Sequence, residues 1–229
     1  MKEIIIEINI LSLFDILSIA TAFMLGVLLL TTKSKNNKAN IFLGFFLWSL
    51  TTEVLQSLLD GQGIESLKIY ATGSLTIPLL FLYIIKTLNY KLKLVYIVFL
   101  IPFFIEILGY SSTYFFYTLS LTILIYTLSI LKKHKIKLGD FYSDTETKTL
   151  SWIHMIIYIF LFFHIFWIIE DLGGLQNENL VEYFAIISNI LTFFMIYWIG
   201  YNGFSQPEIF NSTLFLLESE ETTLEPEFD

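Results

Sequence analysis

The sequence predicts an all-α fold: a polytopic membrane protein built as a seven-transmembrane helix bundle, N-terminus out and C-terminus in. Three observations predict it. Of the 229 residues, 55% are apolar and 17% aromatic, while only 15% are charged. A soluble domain of this size carries about 25% charged residues, so the surplus Phe, Ile, Leu and Tyr must face lipid. The apolar residues fall into stretches long enough for a helix to cross a ~30 Å hydrocarbon core, and the lysines are sorted between alternate loops.

The stretches are 9–32, 39–60, 67–88, 93–110, 112–132, 149–170 and 181–203. The first is too long for a signal-peptide core, and no small-x-small cleavage site follows it. Asp60-Gly61 ends the second. Pro78 in the third and Pro102 in the fourth predict kinks, tolerable where neighbours satisfy the freed carbonyls. The fourth stretch is the shortest, and only GYSS separates it from the fifth, so the pair reads as a helical hairpin. Ser143 with Glu146 has capping-box spacing, which starts helix 6 before its apolar part. Gly173-Gly174 supplies its stop. The last stretch runs into YWIGYNGFSQPEIF (197–210), where Gly200 and Gly203 predict a loosened helix end and Pro207 a stop or a turn. No internal repeat is visible, which argues against an inverted-repeat transporter.

All 13 basic residues are lysines. Eleven of them fall in the 1–2, 3–4 and 5–6 connections: Lys33, Lys35 and Lys38; Lys86, Lys91 and Lys93; Lys132, Lys133, Lys135, Lys137 and Lys148. The opposite connections hold Lys68 and the acids Asp60, Glu65, Glu106, Glu170, Asp171, Glu178 and Glu182. Lysine retention on the cytoplasmic side then places the N-terminus outside. The expected location is a bacterial cytoplasmic (inner) membrane, and the lipid bilayer is the first partner. Residues 1–204 form the membrane domain and 205–229 an acidic cytoplasmic juxtamembrane tail. From Glu208 to Asp229 there are seven acids and no lysine. Such a segment buries too little surface to fold alone.

Several function classes are excluded. Without cysteine there is no disulfide framework and no thiolate metal site. HExxH, GxSxG and a glycine-rich phosphate loop are absent. The last span has no lysine for a retinal Schiff base, and three histidines are too few for a multi-histidine membrane hydrolase. No catalytic residue, cofactor or metal is therefore expected. His164 with Glu53 or Asp15 has donors that suit zinc, but they come from separate helices without motif spacing. His154 lies about 80° round the helix and ~15 Å along it from His164, so the two cannot share an ion.

Ionisable groups in hydrocarbon are costly and mark candidate sites. Asp15 heads a stripe with Ser18, Ala22 and Gly26, suited to close helix packing. Span 2 carries Ser49, Glu53, Gln56, Ser57 and Asp60 on one stripe, and span 4 carries Glu106. Span 6 has His164 with Trp167 continuing its face, and span 7 has Ser188, Asn189 and Thr192. The orientation puts Asp15, Glu53, Gln56, Glu106, His164, Trp167 and Asn189 in the outer half of the membrane. Acids, an imidazole and amides gathered there read as a ligand pocket open to the outside. Interhelical hydrogen bonding is the rival reading of the same residues. An interfacial aromatic belt equally accounts for Trp48, Trp152, Trp167 and Trp198.

Four pieces carry a family resemblance: IPLLFLYIIKTL (77–88), YIVFLIPFFIEIL (96–108), ILKKHKIKLGDFYSDTETKTLSWIHMIIY (130–158) and YWIGYNGFSQPEIF (197–210). In their order the chain resembles, over residues 5–210, the membrane half of AraC-type helix-turn-helix transcription regulators of Bacteroidota. The resemblance implies a seven-span sensor whose signal leaves through Gly200, Gly203, Gln206 and Pro207 to a linker and a DNA-binding domain. No counterpart of that domain is present up to Asp229, and an acidic tail has the wrong sign for phosphate contact. A truncated gene, a fragment and a separately encoded output domain all fit, and no direct nucleic-acid binding is expected of this chain. The function expected is a sensory module, not an enzyme, that passes an outer-side signal through helix 7. Its expected partners are an outer-side ligand and a second copy of the chain as a homodimer. A small solute or proton-coupled permease is the alternative, with Asp15, Glu53 and His164 as its path. A permease needs polar groups on the inner side as well, where only His154 and Tyr126 offer themselves. An intramembrane enzyme is a third and weaker reading.

Overall fold

The computed structural model describes residues 9–32, 37–63, 73–108, 113–139, 144–173 and 178–205. Among them are seven α-helices and one 3-10 helix, with no strand. They run as α1 (Ile10–Thr31), α2 (Asn37–Gly61), α3 (Gly73–Thr87), the 3-10 helix (Leu94–Leu100), α4 (Ile101–Ile107), α5 (Thr113–Gly139), α6 (Asp144–Gly173) and α7 (Glu178–Ser205). Five of these, α1, α2, α5, α6 and α7, are long and apolar enough to cross a membrane. That is the make-up of a multi-pass membrane protein. Large apolar side chains cover the outside, among them Leu13, Phe23 and Met24 on α1, Phe162 and Ile165 on α6, and Phe194 on α7.

Among the described residues the third and fourth expected spans are represented by shorter helices. The 15 residues of α3 rise only ~22 Å. It stays helical through the buried Pro78. The fourth breaks into the 3-10 helix and α4, and Pro102 is the cause. A proline there has no N–H for the carbonyl of Val98, four residues back, and its ring crowds that oxygen. Val98 instead accepts from the N–H of Ile101, three residues on, so the preceding turns tighten to the 3-10 pattern. Pro102 then occupies the first turn of α4, where no donor is required.

Six helices form a ring. α1 packs on α2 and α7, α2 on α3, α3 on α5, α5 on α6, and α6 reaches α7. The 3-10 helix and α4 lie on α3, where Tyr96 and Phe99 meet Phe81 edge-on at 4.9 and 5.1 Å. The ring encloses an apolar core with Phe46 and Leu47 of α2, Tyr83 and Ile84 of α3, Ile157 of α6 and Ile196 of α7.

The small stripe of α1 is buried throughout: Ser12, Asp15, Ser18, Ala22, Gly26 and Leu29. It lets α1 and α2 close on each other. A Cβ on Gly26 would stand 2.5 Å from Trp48 Cδ1 and 3.1 Å from the carbonyl oxygen of Gly44. Gly200 and Gly203 act alike. A Cβ on Gly200 would collide with Leu25, and one on Gly203 would lie 2.6 Å from Leu43 Cδ2. α7 remains helical through both to Ser205. These glycines therefore seat α7 on α1 and α2, and do not loosen its end as the sequence suggested. Gln206 and Pro207 lie outside the described residues, as does the tail beyond them, and so does Ser143 of the expected capping box.

Side-chain contacts fix which helix ends share a side. Tyr83, near the end of α3, meets Trp152, in the first half of α6, at 6.1 Å. The Tyr90 hydroxyl lies 3.4 Å from Nδ1 of His134, near the end of α5, and burial pushes the Tyr90 phenol up. The described lysines all belong to that end: Lys38 opens α2, Lys86 closes α3, Lys91 and Lys93 follow it, Lys132, Lys133, Lys135 and Lys137 lie near the end of α5, and Lys148 lies in the first turns of α6.

Candidate ligand-binding site

A cavity of about 400 Å³ opens at the other end of the bundle, between α1, α2, α6 and α7. Its place follows from the helix ends. α1 begins there, with Asn9 capping it: Asn9 Oδ1 accepts from the Ser12 N–H, and Ser12 Oγ accepts from the Asn9 N–H, both at 2.8 Å. α2 ends there, and the chain turns at Gly63, whose φ of +67 suits a residue without a side chain. From α1 the lining takes Asn9, Ser12 and Asp15, and from α2 Leu50, Glu53, Ser57 and Gln62. α6 adds Phe160, Phe163 and Trp167, and α7 adds Phe184, Ser188, Asn189 and Thr192.

The two carboxylates differ in what holds them. Glu53 is partly buried and faces the first turn of α3. Thr76 Oγ1 donates to Glu53 Oε2 at 3.1 Å, and Ser49 Oγ lies 2.8 Å from Thr76 Oγ1. With the Thr76 proton given to the carboxylate, Ser49 is the donor to Thr76, so the chain of hydroxyls is polarised toward Glu53. The amino end of α3 adds a favourable dipole. Asp15 has no such support. It is 6% exposed, lines the cavity, and has no hydrogen bond or ion pair among the described residues. An ionisable group in that position in a helix interior is costly.

Aromatic rings build the facing wall. Phe163 stacks on Trp167 at 5.9 Å and meets Phe184 edge-on at 6.0 Å. Phe160 lies edge-on to the buried Phe46 at 6.0 Å. Below the cavity, toward the lysine end, lie the buried apolar side chains Ala22, Phe46, Leu47, Ile157 and Ile196, and the polar Asn40, Thr87, Thr127 and His134 are buried toward that end as well.

Of the residues singled out in the sequence, the cavity gathers Asp15, Glu53, Trp167 and Asn189. Three others are not among its lining. Gln56 turns along α2, where its Nε2 donates to Asp60 Oδ1 at 2.7 Å. Glu106 sits on α4, which packs on the outside of α3. His164 is buried toward α5, its ring 6.2 Å from Phe116 and 6.4 Å from Tyr117. Its Nδ1 lies 2.9 Å from the Phe160 carbonyl oxygen. A carbonyl only accepts, so Nδ1 carries the proton, and Nε2 is left with a lone pair and no partner among the described residues.

The sequence reading missed the aromatic wall of Phe160, Phe163 and Phe184. With 23 phenylalanines in the chain, nothing local distinguishes these three. Ser57, Ser188 and Thr192 carried a signal as hydroxyls on the same faces as Glu53 and Asn189. The chain matches no protein-family model, no curated protein and no solved structure.

Proposed function

We propose that the chain is the membrane-embedded sensory module of a signalling protein in a bacterial inner membrane, and that it takes an outer-side ligand in the cavity between α1, α2, α6 and α7. The carrying observation is that cavity together with the buried Asp15 in its wall, which has no partner among the described residues. Retention of lysine on the cytoplasmic side puts the lysine end inside and the cavity mouth outside. In that frame the chain crosses the membrane seven times, with α3 and the 3-10/α4 unit as its short crossings. The signal leaves through α7. Its outer half carries Asn189 and Thr192 in the cavity, and its inner half is wedged by Gly200 and Gly203 against Leu25 and Leu43. A ligand that fits one arrangement of α7 better than another shifts the population of that contact. Packed interfaces of this kind are bistable and do not deform smoothly. The resemblance to AraC-type regulators names an output of the fitting kind, a cytoplasmic DNA-binding domain.

The test fills the cavity and reads the far end of α7. The chain has no cysteine, so Thr192→Cys provides one unique thiol in the cavity wall. A bulky methanethiosulfonate adduct there is expected to change amide hydrogen-exchange protection over 196–205. Complete modification with unchanged protection over those residues would defeat the reading.

A further inference from the structure

We infer that the cavity is built for a small organic ammonium ion, from a primary amine to a quaternary nitrogen; this rests on the sensory reading above and names its ligand class. Four observations carry it. Two carboxylates, Asp15 and Glu53, enter the lining from adjacent helices, and no lysine or histidine is among the described residues around it. Asp15 is 6% exposed and has no hydrogen bond or ion pair among the described residues. Glu53 has a hydroxyl donor in Thr76, so Asp15 is the carboxylate of the site that has no hydrogen bond among the described residues. A buried carboxylate without a counter-charge calls for a cation, and none of the described lining residues provides one.

The rest of the wall selects the kind of cation. Among the described residues no group of three or more His, Cys, Asp or Glu side chains could hold a metal ion. A bare metal ion or sodium needs a full shell of oxygen or nitrogen donors. The wall instead offers the aromatic surfaces of Phe163, Trp167 and Phe184, stacked and edge-on to one another. An ammonium is attracted by such faces, most strongly by tryptophan, and sheds its weaker hydration more readily. The volume of about 400 Å³ lies near the lower end of the ~300–1,000 Å³ range of small-molecule sites. That admits a monoamine, a choline-sized ion or a short diamine, and excludes a peptide.

The test uses the full chain in lipid nanodiscs. Choline, phenethylamine and cadaverine are titrated by calorimetry beside their neutral counterparts 3,3-dimethylbutanol, 2-phenylethanol and 1,5-pentanediol. At least one ammonium probe is expected to bind with Kd below about 1 mM and at least about tenfold tighter than its neutral counterpart. Asp15→Asn is expected to erase that preference, and Trp167→Leu to weaken the ammonium about threefold or more. Circular dichroism and monodisperse elution certify that both variants are folded. Equal binding of charged and neutral members of each pair, or no binding of any ammonium probe, overturns the inference, as does full retention of the preference in folded Asp15→Asn. The Thr192→Cys adduct separates this from the sensory reading. If the adduct changes α7 while no ammonium is preferred, the ligand class is wrong and the sensor stands. If ammonium binds and α7 does not respond, the ligand class stands and the sensor falls.

Discussion

Gly26→Ala probes the close contact between α1 and α2. The added Cβ would stand 2.5 Å from Trp48 Cδ1, 2.6 Å from Trp48 Nε1 and 3.1 Å from the Gly44 carbonyl oxygen. The indole can rotate, but it then leaves its stack on Phe23 at 6.0 Å and its edge contact with Phe45 at 5.7 Å. It also gives up the bond from Nε1 to the Phe23 carbonyl at 3.4 Å. Ring contacts of this kind contribute about 0.5–1.5 kcal/mol each, and a hydrogen bond in a membrane interior about 0.6. The Gly44 oxygen is backbone and moves only if α1 and α2 separate, at the ~1–3 kcal/mol typical of overpacking. Against this stands the better helix propensity of alanine, about 1 kcal/mol. The net expectation is a loss of about 2–5 kcal/mol, which lowers the thermal midpoint by roughly 4–20 °C for a chain of this size. The assay is tryptophan fluorescence against temperature in nanodiscs. Gly61→Ala is the control, because a Cβ there meets nothing within 4 Å. If Gly26→Ala is as stable as the parent or as Gly61→Ala, the helices do not approach as described and the packing argument fails.

Three further outcomes follow from the same physics. Asp15→Leu removes an unpartnered acid from a buried position and should stabilise the ligand-free protein by about 1–2 kcal/mol, seen as a raised midpoint in the same scan; a lowered midpoint would mean that Asp15 has a partner. Thr76→Val breaks the hydroxyl chain from Ser49 to Glu53 and should cost about 0.6–1.7 kcal/mol, read by steric-trap unfolding in bicelles; no change would show the chain to be idle. His164→Phe places a ring of similar shape among Phe116, Tyr117 and Trp167 and removes a buried, unmet Nε2. It should be neutral or stabilising by up to about 1 kcal/mol and should leave ligand affinity unchanged. A tenfold affinity loss in that variant would return His164 to the site.

The sequence made the apolar rods and the α1 stripe legible because both are periodic. Ser12, Asp15, Ser18, Ala22 and Gly26 follow helical spacing closely enough to specify one buried face. Height along the bundle was legible too, and Asp15, Glu53, Trp167 and Asn189 line one cavity. What height alone does not carry is the direction each side chain takes toward a particular neighbour. His164 lies about 40° round α6 from Phe160 on one side, while Phe163 and Trp167 lie on the other. That small rotation sends the histidine to α5 and the rings to the cavity. Glu106 has suitable height but sits on a helix that the ring leaves outside. The two glycines of α7 were misread for a similar reason. Near a chain turn, glycine signals a helix end, whereas here its lack of a side chain serves a contact with Leu25 and Leu43 from distant parts of the sequence.

The most direct test of the account is which side of the membrane reaches the cavity. Ser188→Cys at its wall and Lys135→Cys at the lysine end are made separately in the cysteine-free chain. A membrane-impermeant maleimide is then applied to spheroplasts. The account predicts labelling of Cys at 188 in intact spheroplasts and of Cys at 135 only after lysis. Labelling of 135 from outside, with 188 protected until lysis, would reverse the molecule in the membrane and contradict a receiver that faces outward.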